Sequence, residues 1–179
     1  MSLRPWRKLS ETVVFENPWW SYRLDRVELP SGKPGEYHYV HTEGSAMVVP
    51  LAATGELLMV RQYRHLAGRE SLEFPGGGVK AGTTPEDAAR SELAEEAGQG
   101  AAELRLVGRF NPFNGVTDEM CHVYVARGLR PVGDSRPDET EEIELEWIAP
   151  AEIEARIRSG EVWDGMTIAA WHLARTSLG

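Results

Sequence analysis

Glu92, Glu95 and Glu96 crowd one short segment, "SELAEEAG", a little downstream of three consecutive glycines at 76–78. If the segment is helical, Glu92 and Glu96 lie one turn apart with Glu95 beside them. Like charges at that spacing destabilise a helix by about 0.2–0.5 kcal/mol per pair. A cluster of hard oxygen donors beside a glycine loop suits Mg²⁺, which takes carboxylates and keeps waters and phosphates in its shell. The glycines let backbone groups approach a charged ligand closely. From the helix alone, a solvated acidic face accounts for the pattern as well.

The flanking residues predict the element that carries these carboxylates. Thr84 precedes Pro85 and Asp87 lies three residues on, which reads as an N-cap, a proline at the first helical position and a short-armed capping box. The spacing predicts a helix over 85–97, stopped by Gly98, with Ala89, Leu93 and Ala97 as its buried stripe. Before it, "WWSYRLDRVELPSGKPGEYHYVHT" predicts a hairpin. "SAMVVPLA" and "ELLMVRQYRH" predict a second one about "ATG". "SLEFP", "AELRLVGRF", "EMCHVYVARGL" and "IELEWI" read as further strands. In the last, Ile143, Leu145 and Trp147 alternate with Glu142, Glu144 and Glu146. "PAEIEARIRSG" and "DGMTIAAWHLARTSL" predict two closing helices. Strands and helices mix without regular alternation, which predicts an α/β sandwich with a mixed sheet. Residues 1–43 are expected to form a small antiparallel sheet and 44–179 the main domain. Such a sheet buries little alone, so a second copy of the chain is its expected partner, giving a homodimer.

Composition narrows the function classes. The 179 residues suit one domain with an extension, and a net charge of −9 speaks against a nucleic-acid partner. A single cysteine, Cys121, permits no intrachain disulfide; it reads as buried filler in a reducing, cytoplasmic setting. No run is apolar enough to span a membrane, and "MSLRPWRKLSETVV" lacks the apolar core of a signal peptide. His65, His122 and His172 show no zinc spacing, and His38 and His41 fall on opposite faces of a strand.

The segment 77–99 resembles the Nudix box, G-x5-E-x7-R-E-U-x-E-E-x-G-U, with U a bulky aliphatic. Gly77, Glu92, Leu93, Glu95, Glu96 and Gly98 match it. Thr83 stands where that family has Glu, Ser91 where it has Arg and Gln99 where it has the last aliphatic. Losing both members of an ion pair orphans no charge, and a neutral Thr83–Ser91 contact is the expected replacement. The resemblance implies the Nudix α/β/α sandwich with a mixed sheet. It also implies a cation, Mg²⁺ with Mn²⁺ as the alternative, on Glu92, Glu95, Glu96 and the Gly76 carbonyl.

Three more stretches are similar to ADP-ribose pyrophosphatases of that family. "VRQYRH" places Arg64 at the nucleotide or its phosphates, with Arg61 beside it as a further substrate residue. "LEFPGG" places Glu73 at the adenine or ribose. "FNPFNGVTDE" is similar in part to a loop lining the terminal ribose and adds Glu119; Phe113 and Asn114 depart from the pattern. "RPDETEEIELEW" resembles the acidic loop with the general base: Glu141 by register, with Glu139 as the alternative. Trp20 or Trp19 stacks on the base in this reading, and plain sheet packing explains either residue equally. The implied reaction is metal-assisted hydrolysis of the pyrophosphate of a nucleoside diphosphate sugar, ADP-ribose giving AMP and ribose 5-phosphate. GDP-mannose or another nucleotide sugar, and a module that holds such a ligand without cutting it, are the competing readings.

Overall fold

The computed structural model describes residues 3–133 and 142–178. The chain divides into two compact units, Met1–Glu43 with Asn111–Glu119, and Gly44–Phe110 with Met120–Gly179.

In the first unit, turn residues between polar, β-prone runs give three antiparallel strands: β1 (Arg7–Glu16), β2 (Ser21–Glu28) and β3 (Pro34–His41), in the order β1-β2-β3. Gly32, at φ +80°, makes the β2–β3 reversal that few other residues would tolerate. Strand β1 is an element that the sequence reading leaves out. Its charges alternate with Val13 and Phe15 without a clean apolar face, and all its residues are exposed. Segment 111–119 also belongs to this unit: the Val40 amide donates to the Val116 carbonyl at 2.9 Å, and His41 Nδ1 lies 2.7 Å from Asp118.

The second unit carries two sheets. One has the order β10-β5-β6, from β5 (Leu57–Arg64), β6 (Arg69–Glu73) and β10 (Ile143–Ile148). The other has the order β7-β4-β9-β8, from β4 (Ser45–Pro50), β7 (Gly76–Gly78), β8 (Gln99–Phe110) and β9 (Cys121–Pro131); there β4 and β9 run parallel and the other pairs antiparallel. Helix α1 (Pro85–Ala97) covers one face through Ala89, Leu93 and Ala97, packed with Ala46, Val48, Leu58 and Tyr124. Helices α2 (Pro150–Ser159) and α3 (Gly165–Ala174) serve the larger core on the other face, around Leu57, Met59, Leu72, Phe74 and Cys121. Each of the Leu and Phe side chains contributes about 1.5–3 kcal/mol by leaving water. This is the expected α/β/α sandwich with mixed strand directions.

Two expectations change. β4 and β5 do not form a hairpin: the Ala52–Glu56 turn closes, but beyond the Leu51–Leu57 bridge the strands enter different sheets. β4 and the first half of β5, Leu57 to Val60, are buried on both faces, so their apolar pattern fixes no partner. In β10, Leu145 and Trp147 are exposed, whereas Ile148 and Glu146 take the core side. Glu146 accepts from Arg61 at 2.8 Å and Arg156 at 2.5 Å, and Arg61 also reaches Glu161 at 2.8 Å. An ion cluster occupies the inner side that alternation alone gives to aliphatics.

This cluster gives stability a pH dependence. Burial would raise the Glu146 carboxyl, but Arg61 and Arg156 outweigh it and hold it below its ordinary 4.5. A depressed carboxylate contributes stability above its unfolded pKa and loses it as pH falls through the folded one. Glu146→Gln is therefore expected to cost about 1 kcal/mol at neutral pH and to flatten the acid limb below 4.5. Urea unfolding of both proteins across that range checks this.

Candidate active site

The site is built where β7 meets α1. The Gly76 amide donates to Glu96 Oε2 at 3.0 Å, and Glu96 is only 3% exposed. A Cβ on Gly77 would lie 2.6 Å from Cδ of Glu92, and one on Gly76 would lie 2.7 Å from the Ala46 carbonyl. Gly76 is required by the close approach of the β4 backbone, whereas a side chain at Gly77 would displace the Glu92 carboxylate; neither position has an unusual φ. The helix is fixed at its start by a capping box: the Asp87 amide donates to Thr84 Oγ1 at 3.1 Å and the Thr84 amide to Asp87 Oδ2 at 3.0 Å. The Thr84 bonds hold the Asp87 carboxyl below the usual range. Gly98, at φ +62°, ends the helix as expected.

The expected cation ligands meet in part. Glu92, Glu96 and Gly76 gather at this junction, whereas Glu95 accepts from the Ser91 hydroxyl at 2.5 Å. Among the described residues no three acidic, histidine or cysteine side chains are already arranged around a cation. The donors fit Mg²⁺ in kind: two carboxylates, a third one helical turn from Ser91, and a backbone carbonyl. The expected Thr83–Ser91 contact is not formed. Thr83 donates to the Lys80 carbonyl at 2.7 Å and closes the loop on itself.

Arg64 and Glu73 are brought together, on each other. They project from the same face of adjacent strands, and the guanidinium clasps the carboxylate through two bonds, one of them Nε to Oε1 at 2.8 Å. Glu73 is buried, and its hydrogen bond holds the Arg64 pKa above the ordinary arginine value, helped by the charges of Asp164 and Glu96. Arg64 is thus within the field of the carboxylate cluster. The sequence reading missed Asp164, which also caps α3 by accepting from the Thr167 amide at 2.7 Å; "DGMT" was legible as a cap but not as a neighbour of Arg64.

Arg61 is a correction. Three positions before Arg64 on β5, it projects to the opposite face, into the cluster with Glu146 and Glu161. Trp20 and Glu119 belong to the first unit; Trp20 packs against Phe15 with ring centroids 5.6 Å apart. The candidate bases Glu139 and Glu141 lie outside the described residues.

Known proteins match this arrangement. The NUDIX domain model matches residues 41–166, and the model for the nucleoside diphosphate sugar hydrolase N-terminal domain matches residues 6–40. An ADP-ribose pyrophosphatase of Bacillus subtilis is 30% identical over 92% of this chain and 89% of its own. One from Mycobacterium tuberculosis is 31% identical over 94% and 83%. A crystal structure described as an ADP compounds hydrolase superposes with TM-score 0.85 over 99% of this chain and 96% of its own, at 22% identity, and shares the fold. The chain belongs to the NUDIX family and is a Nudix hydrolase.

Proposed function

We propose that this hydrolase splits the pyrophosphate of a nucleoside diphosphate sugar, with ADP-ribose as the preferred substrate. The observation that carries the reading is the junction of Gly76, Glu92 and Glu96 at the foot of α1, in a chain about 30% identical to two ADP-ribose pyrophosphatases. Glu92, Glu96, Glu95 and the Gly76 carbonyl would hold Mg²⁺, or Mn²⁺ in its place, which supplies charge neutralisation and a more acidic bound water. Glu141, or Glu139, takes the proton of the attacking water. Water oxygen bonds to phosphorus, the bridging P–O bond breaks, and AMP and ribose 5-phosphate leave. Arg64 suits a phosphate because its fork donates two parallel hydrogen bonds; Glu73 keeps that fork oriented. The exposed Val13, Val14 and Phe15 of β1 support pairing of the N-terminal sheet with a second copy. The single buried cysteine is in keeping with a cytoplasmic location.

Phosphate release in a phosphatase-coupled assay tests the substrate, with ADP-ribose, GDP-mannose, ADP-glucose and NADH run side by side. The expected kcat/KM for ADP-ribose exceeds the others by roughly tenfold or more. Turnover confined to another compound would reject ADP-ribose. One observation favours a second reading, in which the protein holds the nucleotide sugar without cutting it: Glu95 is bonded to Ser91. ADP-ribose that raises the melting temperature but is not hydrolysed would support that reading.

A further inference from the structure

The row of residues that begins under Glu92 continues across the four-stranded sheet. Gly77 pairs with Ala46, Ala46 with His122, and His122 with Arg109. Partners on adjacent strands project to the same face, so His122 and Arg109 share the face on which Ala46 packs with α1. His122 stands two strand spacings from Gly77, roughly 10 Å. Arg64 and Glu73 lie on the other sheet, β10-β5-β6. The carboxylates therefore have one basic group on β5 and another on β8 and β9.

The state of these two side chains points to a ligand. His122 is half-buried, and its Nδ1 is fully buried with no hydrogen-bond partner among the described residues. A buried N–H without an acceptor is rarer than a bare acceptor. With Nδ1 buried, Nε2 is the ring nitrogen left to meet a ligand, and it can donate to one. Arg109 is exposed and makes no ion pair among the described residues. Arg90, Arg64 and Arg61, elsewhere in the unit, are each engaged by a carboxylate, Glu86, Glu73 and Glu146 respectively. A donor and an uncommitted guanidinium side by side suit phosphate oxygens.

We propose that His122 and Arg109 form the subsite for the phosphate that departs on the sugar. The inference rests on the pyrophosphatase reading above and further assigns Arg64 to the nucleotide half. A diphosphate centred on Glu92 and Glu96 then sends its other half along the row toward β9 and β8. His122 Nε2–H donates one bond to a phosphoryl oxygen, and the Arg109 fork neutralises the charge that the product gains.

Nitrogen-15 NMR of the imidazoles of the full chain tests this without turnover. His122 is assigned from the signal lost in His122→Gln, and the metal-free protein is titrated separately with ribose 5-phosphate, inorganic phosphate and AMP. Ribose 5-phosphate is expected to move the His122 Nε2 signal. Arg109→Ala is expected to weaken its affinity by about tenfold while leaving that of AMP unchanged. His122→Gln, which keeps an amide donor near Nε2, should retain more ribose 5-phosphate affinity than His122→Ala. An unmoved His122 signal, or equal losses for ribose 5-phosphate and AMP in Arg109→Ala, would overturn the subsite; Arg109 is exposed, so that variant remains readable if the His122 variants fold poorly. ADP-ribose turnover by the unaltered protein is scored separately. If it is absent while His122 still answers ribose 5-phosphate, the subsite stands and the substrate assignment falls.

Discussion

Glu96→Gln is expected to lower ADP-ribose turnover by about 10³-fold while leaving the melting temperature nearly unchanged. The side chain has two tasks that this substitution separates. Its Oε2 accepts the Gly76 amide at 3.0 Å in a site only 3% exposed, and the glutamine carbonyl can accept the same bond. The negative charge, which a divalent cation needs, is lost. Several kcal/mol of transition-state stabilisation depend on that cation, and each 1.36 kcal/mol is a factor of ten. Steady-state kinetics with Mg²⁺, set beside thermal melts, gives the answer. A Glu96→Gln protein that retains most of its turnover would remove Glu96 from the catalytic centre, and a large fall in melting temperature would make its role structural.

The second large effect is on stability. Arg64→Ala leaves Glu73, 5% exposed, without the cation that clasps it. Breaking a fully buried pair costs about 3–5 kcal/mol. The Arg64 side chain is 44% exposed, so solvent screens part of the loss, and about 2 kcal/mol is expected. At this chain length that is roughly 4–8 °C in melting temperature. Adding Glu73→Gln should recover most of it, because the orphaned charge is the source of the damage. The double variant would still turn over poorly if Arg64 binds phosphate. Additive losses in the pair, with no recovery, would mean that the two residues are not coupled and that Glu73 finds its counter-charge elsewhere.

Local chemistry was the most legible part of the sequence. The Thr84–Pro85–Asp87 cap, the 85–97 helix, its Ala89–Leu93–Ala97 stripe and the Gly98 stop could all be read, because cap geometry and helical period are set within a few residues. The glycine run and the carboxylates could be placed together for the same reason. What depended on distant pairing was not legible. Arg64 and Glu73 each looked like a substrate group, and only the β5–β6 register makes each the other's partner. Arg61 looked like a neighbour of Arg64, but the strand period of two turns it to the opposite face. In β10 alternation alone would give the inner face to Ile143, Leu145 and Trp147. Arg61 and Arg156 instead draw Glu146 inward, and Leu145 and Trp147 are left exposed. Charge complementarity from another part of the chain overrode the local pattern there.

The parallel ladder between β4 and β9 has a consequence in time. Ser45 pairs with Cys121 and Pro50 with Ala126, so this ladder closes only after the intervening chain has been synthesised and collected. The entropy of closing such a long loop is lost before the contacts return it, which slows folding. β4 is also the strand that receives β7, and its Ala46 carbonyl is what Gly76 packs against. During refolding, α1 can form early from its own caps, but Glu96 acquires the Gly76 amide only when β4 is seated. Recovery of activity should therefore lag behind recovery of helical signal, and the carboxylate junction is among the last parts of the molecule to become competent.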